Sequence, residues 1–434
     1  MEPLLRGRAG KIEDRKSLNL LWRVCLPFLA GYYASYVFRA VNALIGPIIA
    51  EEFGMSAAQL GFLAAMYFLP FALFQIPLGL LLDRFGPRRV TGSLLLLAAA
   101  GGVVFSSAHS YEGLVLGRGL IGIGVSACLM GAFQAFVLWY PPERTATMIA
   151  VAYSIGGVGA ITASVPLELA LRGFSWREIF FAISLGTLLV CAVLFFWVPE
   201  RRASPSRASL RQQLAGLASI ASDGAFWRVA VALGASQCAA VSIFTLWITT
   251  WLRDVAGFER ASIAVALAWV SVGLIAGYLF FGRAADRLAR SGQSQLPLFM
   301  GGVALSAGIL ALLALGVTTL VVPLWCAFVF CGTGATLAHS IATRRYPREM
   351  AGRVNTALNT FTFTGIFTGQ WAVGAILSLW PQTAAGYDPK GYFWAFGVLW
   401  LVQVAGLAWL WTGRRLFAPA AAAPAPTASP SAAP

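Results

Sequence analysis

Charge is what this sequence has least of. Asp, Glu, Lys and Arg make up 11% of the 434 residues, and there are only two histidines. A soluble chain of this size carries roughly a quarter charged residues, which excludes a water-exposed surface for most of the protein. Cysteine is also sparse. Cys25, Cys128, Cys191, Cys238, Cys326 and Cys331 all lie in apolar stretches, and neither histidine has metal-ligand spacing to them. The chain is therefore expected to have no disulfide framework and no metal site, with the cysteines acting as small buried hydrophobes. Catalytic patterns are missing too. There is no Ser/His/Asp set and no phosphate loop. The glycine-rich stretch 117–131 follows no strand, so a dinucleotide fingerprint is rejected. No enzyme activity and no cofactor are expected, and ATP-driven work by this chain alone is not expected.

What the sequence has is apolar length. Hydrophobic residues make up 59% of it, and the mean hydropathy is +0.75. Stretches of about 20 residues or more, enough to span a bilayer, recur twelve times. They cover 22–50, 57–82, 90–107, 113–139, 147–171, 177–198, 227–252, 260–281, 296–316, 320–341, 354–379 and 391–413. Hydropathy alone also admits eleven or thirteen, because the third is short and the ninth and tenth nearly touch. The net charge of +14 does not point to nucleic acid, since the basic residues sit in short segments between apolar runs. With the N-terminus in the cytoplasm and twelve alternating helices, the cytoplasmic segments hold 24 of the 31 Lys and Arg residues. The outer segments hold Arg172, Arg177, Arg253, Arg260 and Lys390, and only Arg39 and Arg118 lie within helices. That is the positive-inside asymmetry, and an odd number of helices spoils it. A multi-pass protein of a bacterial inner membrane, with both termini cytoplasmic, is expected. The segment 1–16 has no apolar run leading to a cleavage site, so the first spanning helix is expected to serve as the membrane signal.

The polar interruption 199–226 divides the helices six and six. The expected units are a cytoplasmic segment 1–19, a bundle over 20–198, a linker over 199–226 and a bundle over 227–415. Residues 416–434 are expected to form a disordered Ala/Pro-rich tail. Within the linker, 210–220 reads either as a basic amphipathic helix on the inner leaflet or as a flexible connection. Two internal repeats support the division. Gly79-Leu-Leu-Leu-Asp83-Arg84 recurs as Gly282-Arg-Ala-Ala-Asp286-Arg287, offset by 203 residues, and Arg144-x-x-Thr147 with Gly156 recurs as Arg353-x-x-Thr356 with Gly365, offset by 209. Signatures repeated at half-length mean two similar membrane halves, the arrangement of a transporter.

These motifs resemble those of the major facilitator superfamily. Gly79, Asp83, Arg84, Gly86, Arg88 and Arg89 fit the family's loop signature between the second and third helices, with Pro87 intervening. Gly282, Asp286 and Arg287 form the weaker copy between the eighth and ninth. Arg118-x-x-x-Gly122-x-Gly124 matches a fourth-helix element, and Ser175-Trp176-Arg177-x-x-Phe180 matches the usual entry to the sixth helix. The resemblance, covering roughly 20–415, implies an all-α membrane protein with twelve transmembrane helices in two pseudo-symmetric six-helix bundles. It also implies transport by alternating access, with the two loop signatures as gate elements. One departure counts against drug/proton antiport: the fifth helix has Gly156-Gly157-Val-Gly159 and then Pro166, with no Gly-Pro pair.

The resemblance does not specify a substrate; that expectation rests on single residues. Arg39 lies ~18 Å from Glu51 at the outer end of the first helix, by helical rise. A charge that deep is costly unless it faces a cavity or a partner. Tyr32, Tyr36 and Arg39 share one helical face, a stripe suited to a carboxylate-like anion. The alternative is a structural arginine bonded to carbonyls or a nearby acid. Asn355, Asn359, Thr362 and Gln370 on the eleventh helix either contact substrate or join helices. Gln237, Thr245, Trp269 and Trp371 are weaker candidates, and His339 reads as interfacial because of the adjacent basic loop, with a pH-sensitive cavity residue as the alternative. Arg118 and Glu168 are coupling candidates. The bland readings are a snorkelling Arg118 and a rim pair from Glu168 to Arg172, four residues on. Uptake of a small organic anion is the expected function, with proton coupling left open and efflux of amphipathic compounds as the alternative. The expected partners are the small-molecule substrate and membrane lipid, with the protein a monomer.

Overall fold

A computed structural model describes residues 20–140, 142–201, 210–347, 350–382 and 386–417. Both the expected N-terminal segment and the Ala/Pro-rich tail lie almost wholly outside these residues, as does most of the linker before residue 210. Helix is the dominant element, arranged as twelve rods. The first six are α1 (Leu21–Ala40 and Asn42–Glu52), α2 (Ala57–Phe85), α3 (Pro87–Ser106), α4 (Tyr111–Trp139), α5 (Pro142–Thr162 and Val165–Ala170) and α6 (Trp176–Trp197). After a connecting helix, Leu210–Ala221, come α7 (Gly224–Asp254), α8 (Arg260–Arg290), α9 (Leu296–Ala314), α10 (Val321–Thr343), α11 (Ala351–Leu377) and α12 (Pro389–Thr412). Among the described residues nine are long and apolar enough to cross a membrane on their own, or ten with the bent α1 counted as one. The other two rods are α5, which is broken near Ser164, and α11, which carries the polar face.

Local chemistry sets the helix ends. Ser56 and Ser175 form capping boxes with Gln59 and Glu178 at the starts of α2 and α6, satisfying backbone donors that the helix leaves unpaired. Between α2 and α3 the chain turns at Gly86, whose φ of 81° favours glycine, and Pro87 then opens α3. The first signature therefore occupies the last turns of α2 and the start of α3. The second lies wholly within α8, whose helix runs on to Arg290. α1 bends by 42° at Val41, just beyond Arg39.

The two halves meet through α1 against α7, α2 against α11 and α5 against α8. We call the end carrying Asp83 and Asp286 the basic end, and the opposite one the far end. The far-end contact is intimate. A Cβ on Gly61 would stand 2.9 Å from the Gln370 carbonyl oxygen, and one on Gly374 would overlap the Ala57 carbonyl. The Ala58 amide also donates to Ser378 Oγ across the halves at 2.9 Å.

Each half carries a matching carboxylate clasp there. Glu52, at the end of α1, accepts from Trp176 Nε1 at 2.7 Å and Arg177 at 2.6 Å, at the start of α6. Asp254, at the end of α7, accepts from Tyr392 Oη at 2.7 Å and the Tyr387 amide at 3.0 Å, beside the start of α12.

Candidate functional site

The helical stripe on α1 leads to the middle of the molecule. Tyr32 and Tyr36 are buried with rings 5.2 Å apart, edge to face. The Arg39 guanidinium carbon lies 4.9 Å from the Tyr36 ring, 5.5 Å from Tyr67 on α2 and 5.5 Å from Phe363 on α11, so it reaches the opposite half. Its Nε is buried with no hydrogen-bond partner, and among the described residues no carboxylate pairs with it. Cation–π contacts are worth ~0.5–2 kcal/mol each, far less than burying an unpaired charge costs. Arg39 is thus a half-buried cation with no acidic partner among the described residues.

The space beside it is small and shared by both halves. A cavity of about 40 Å³ is lined by Tyr36 and Arg39 from α1, Gln237 and Thr245 from α7, Tyr278 from α8 and Thr333 from α10. Such a volume holds a water or two. Gln370 joins it indirectly, since the Thr245 hydroxyl lies 3.3 Å from Gln370 Oε1. Tyr153 of α5 meets Tyr278 of α8 with rings 5.5 Å apart, closing the cluster across the halves. Tyr67, Tyr153, Tyr278 and Phe363 are the residues that sequence reasoning missed. One signal was present in Gly156: a Cβ there would stand 2.7 Å from the Tyr36 ring, so the glycines of α5 are what let the α1 tyrosines pack.

The remaining α11 residues do not gather at Arg39. Asn355 Oδ1 lies 3.0 Å from His339 Nδ1, so His339 is a half-buried partner of α11 rather than an interfacial group. Asn359 is half-buried, and Thr362 is buried with its hydroxyl unpartnered. Trp269 is 59% exposed on the outer surface, and Trp371 packs on Phe62, 6.0 Å between rings; neither lines the cavity. A larger hollow of about 660 Å³ opens at the far end among Glu51, Ser56, Thr250, Arg253, Gln382 and Tyr387. Its cation, Arg253, is already held by Asp254 at 2.6 Å, so the enclosed Arg39 cavity is the better site.

Two expectations are corrected by the packing. Arg118 does not snorkel: it is 2% exposed, and its Nη1 donates to the Phe38 carbonyl at 2.9 Å, beside the bend in α1. Glu168 does not pair with Arg172. Its Oε2 lies 2.7 Å from Arg260 Nε at the start of α8, so the acid ties the halves together at the far end.

Residues 28–370 match the family model described as Major Facilitator Superfamily. The chain belongs to this superfamily. Among curated relatives it is 27% identical over 280 residues to the probable sulfoacetate transporter SauU of Cupriavidus necator, covering 61% of this chain and 65% of that protein. It is 30% identical over 203 residues to the probable nitrate/nitrite antiporter NarK1 of Thermus thermophilus, covering 44% of each. The matched stretch is thus under two thirds of either relative. Among solved structures, a bacterial homologue of the human lysosomal transporter Spinster, in an inward-facing and unoccupied conformation, superposes with a TM-score of 0.71. That match has 17% identity and covers 93% of this chain and 97% of that one. The nucleoside transporter NupG gives a TM-score of 0.71 at 14% identity over 89% of this chain and 99% of that one. These structural likenesses establish the superfamily fold.

Among the described residues the superfamily signatures show no hydrogen bond or ion pair between the halves. Asp83 accepts a long bond from Gln134 Nε2 at 3.4 Å, within its own half. Arg84 lies exposed over Phe85. Arg88 donates to the Phe195 carbonyl, and with Arg89 it holds Glu200 at the end of α6, at 3.5 and 3.1 Å. Asp286 and Arg287 are exposed. A Cβ on Gly79 or Gly282 would meet nothing within 4 Å. Among the described residues the hydrogen bonds between halves include Ala58–Ser378, Glu168–Arg260, Thr360–Ala72 and Tyr36–Tyr278, at the far end or mid-depth.

Proposed function

We propose that this protein moves a small organic anion across the inner membrane by alternating access, with Arg39 as the counter-ion. The observation that carries the reading is the half-buried guanidinium at the junction of the halves, lining a cavity and without a carboxylate among the described residues. An anion of carboxylate or sulfonate type would supply the missing partner through paired hydrogen bonds. Tyr32, Tyr36, Gln370 and the α7 polar groups would complete its shell, with Asn355, Asn359 and Thr362 along the α11 face toward the basic end. The names of the relatives, sulfoacetate and nitrate/nitrite transporters, support the anionic class.

In this reading the basic end is cytoplasmic, as the positive-inside bias favours, and 20–198 and 227–415 are the two moving bodies. The sealed far end and unbridged basic end correspond to an inward-facing state. The open space around Gly79 and Gly282 supports a gate role for both signatures. Asp83, Arg84, Gly86, Arg88, Arg89, Asp286 and Arg287 would close the basic end in the opposite state. Among the described residues no carboxylate lines the Arg39 cavity, and Glu168 is engaged at the far end, which favours exchange or facilitated movement over proton symport.

The test is counterflow of labelled carboxylates and sulfonates in proteoliposomes. Arg39→Gln is expected to lower substrate affinity by ~10²-fold or more, the scale of breaking a buried ion pair. Unchanged affinity in that variant overturns the assignment. Drug sensitivity of a deletion strain, without anion exchange by the wild type, would favour efflux of amphipathic compounds instead.

A further inference from the structure

Arg118 and Arg39 share a neighbour. The Arg118 guanidinium carbon lies 5.4 Å from the Tyr67 ring centroid, and that of Arg39 lies 5.5 Å from the same centroid. The two cationic centres are therefore no more than about 11 Å apart. Tyr67 is fully buried; its hydroxyl donates to the Ser35 carbonyl at 3.1 Å, and its oxygen accepts from the Arg39 guanidinium. Arg118 makes one bond, to the Phe38 carbonyl, the residue just before Arg39, and its Nε is buried without a partner, as is that of Arg39. Among the described residues neither arginine has an acid. The N-terminal bundle thus keeps two uncompensated positive charges close together in a low-dielectric interior.

A purely structural role leaves this arrangement unexplained. A neutral donor such as Gln or Trp would satisfy one carbonyl without adding like-charge repulsion to Arg39. Repulsion between the buried Arg118 and the half-buried Arg39 is relieved when an anion enters beside Arg39, and relieved more by a doubly charged anion. We infer that Arg118 is a positioning residue that selects substrate charge: acting from behind Tyr67, it makes the Arg39 cavity prefer dianions over monoanions. This rests on the anion-transport reading above. For an anion seated beside Arg39 and taken at about 11 Å from Arg118, with an effective dielectric of about 20, each unit of substrate charge gains about tenfold in affinity from Arg118.

The experiment uses the full-length protein in detergent or proteoliposomes and two probes of one chemical type, sulfoacetate as dianion and methanesulfonate as monoanion. Wild type is expected to bind the dianion at least about tenfold more tightly. Arg118→Gln and Arg118→Met should weaken the dianion by about a hundredfold and the monoanion by about tenfold, so that selectivity for the dianion falls by about tenfold. Arg118→Lys should keep it. Equal weakening of both probes in Arg118→Gln, with Arg39 still essential, overturns the inference and leaves anion transport standing. So does a wild-type preference for the monoanion, a measurement that needs no variant to fold. Binding of neither probe or any other small anion by the wild type overturns both.

Discussion

Glu168 and Arg260 are 92 residues apart in sequence and 2.7 Å apart in space. They join α5 to α8 at the far end, with the carboxylate side chain 10% exposed and the guanidinium side chain 47% exposed. A pair so placed is screened on one side and is worth ~1 kcal/mol or less. That is enough to shift a two-state equilibrium several-fold.

Glu168→Gln should therefore raise the population open at the far end by roughly fivefold, and Arg260→Gln should match it. Spin-label distances between the far ends of α5 and α8 would show the broadening. Exchanging the two charges, Glu168→Arg with Arg260→Glu, should restore most of the sealed population. Identical distance distributions in all variants would show that the pair does not latch the halves.

The glycine contacts between α2 and α11 make a second expectation. A methyl at Gly61 or Gly374 would press on backbone of the other half, which cannot move aside as a flexible side chain can. Gly61→Ala and Gly374→Ala should each disfavour far-end closure by ~1–3 kcal/mol and slow transport severely while each half stays folded. Transport at the wild-type rate, with the same distances at the far end, would contradict this. Gly79→Ala and Gly282→Ala are the informative contrast: both positions are open in this conformation, so any loss of transport must arise in another state.

The third expectation concerns acid. Asp223 caps the start of α7, where burial pushes its carboxyl up. The Tyr346 hydroxyl at 2.6 Å, the Ala225 amide and the nearby Arg345 charge outweigh that and hold it below the usual range. A carboxyl lowered by folding adds stability above its unfolded value, ~3.9 for aspartate, and loses it as pH falls through the folded value. Tyr346→Phe should cost about 1 kcal/mol near neutral pH and move the acid limb of the melting curve to higher pH. Thermal melts between pH 3 and pH 7 would check this, and a variant curve parallel to wild type down to pH 3 would count against it.

Much of the architecture was legible because its signals are additive along the chain. Hydropathy and the Lys/Arg map together give twelve rods, and the repeated tetrads give two halves. The site was legible only where one residue breaks the bilayer rule outright, as Arg39 does. Glu168 was assigned to Arg172 because helical spacing sees only neighbours on one rod, whereas its partner comes from the other half. Arg118 looked interfacial from its height along α4, since sequence carries no information on which side of a rod another helix covers. Tyr67, Tyr153, Tyr278 and Phe363 were invisible as a set, because an aromatic in a spanning helix is usually packing, and only the crossing of α1, α2, α5, α8 and α11 gathers them.

α11 gives up apolar surface to polar side chains. Its threonines at 364 and 368 bond back to carbonyls four residues earlier, but Asn359 and Gln370 stay polar along the rod, and among the described residues it is not one of the helices apolar enough to cross a membrane on its own. It enters the bilayer as a guest of helices already there. Its tightest host is α2, synthesised some three hundred residues earlier and presenting Gly61 to it. The first half, made earlier, thus carries the surface against which the least greasy strut of the second half packs.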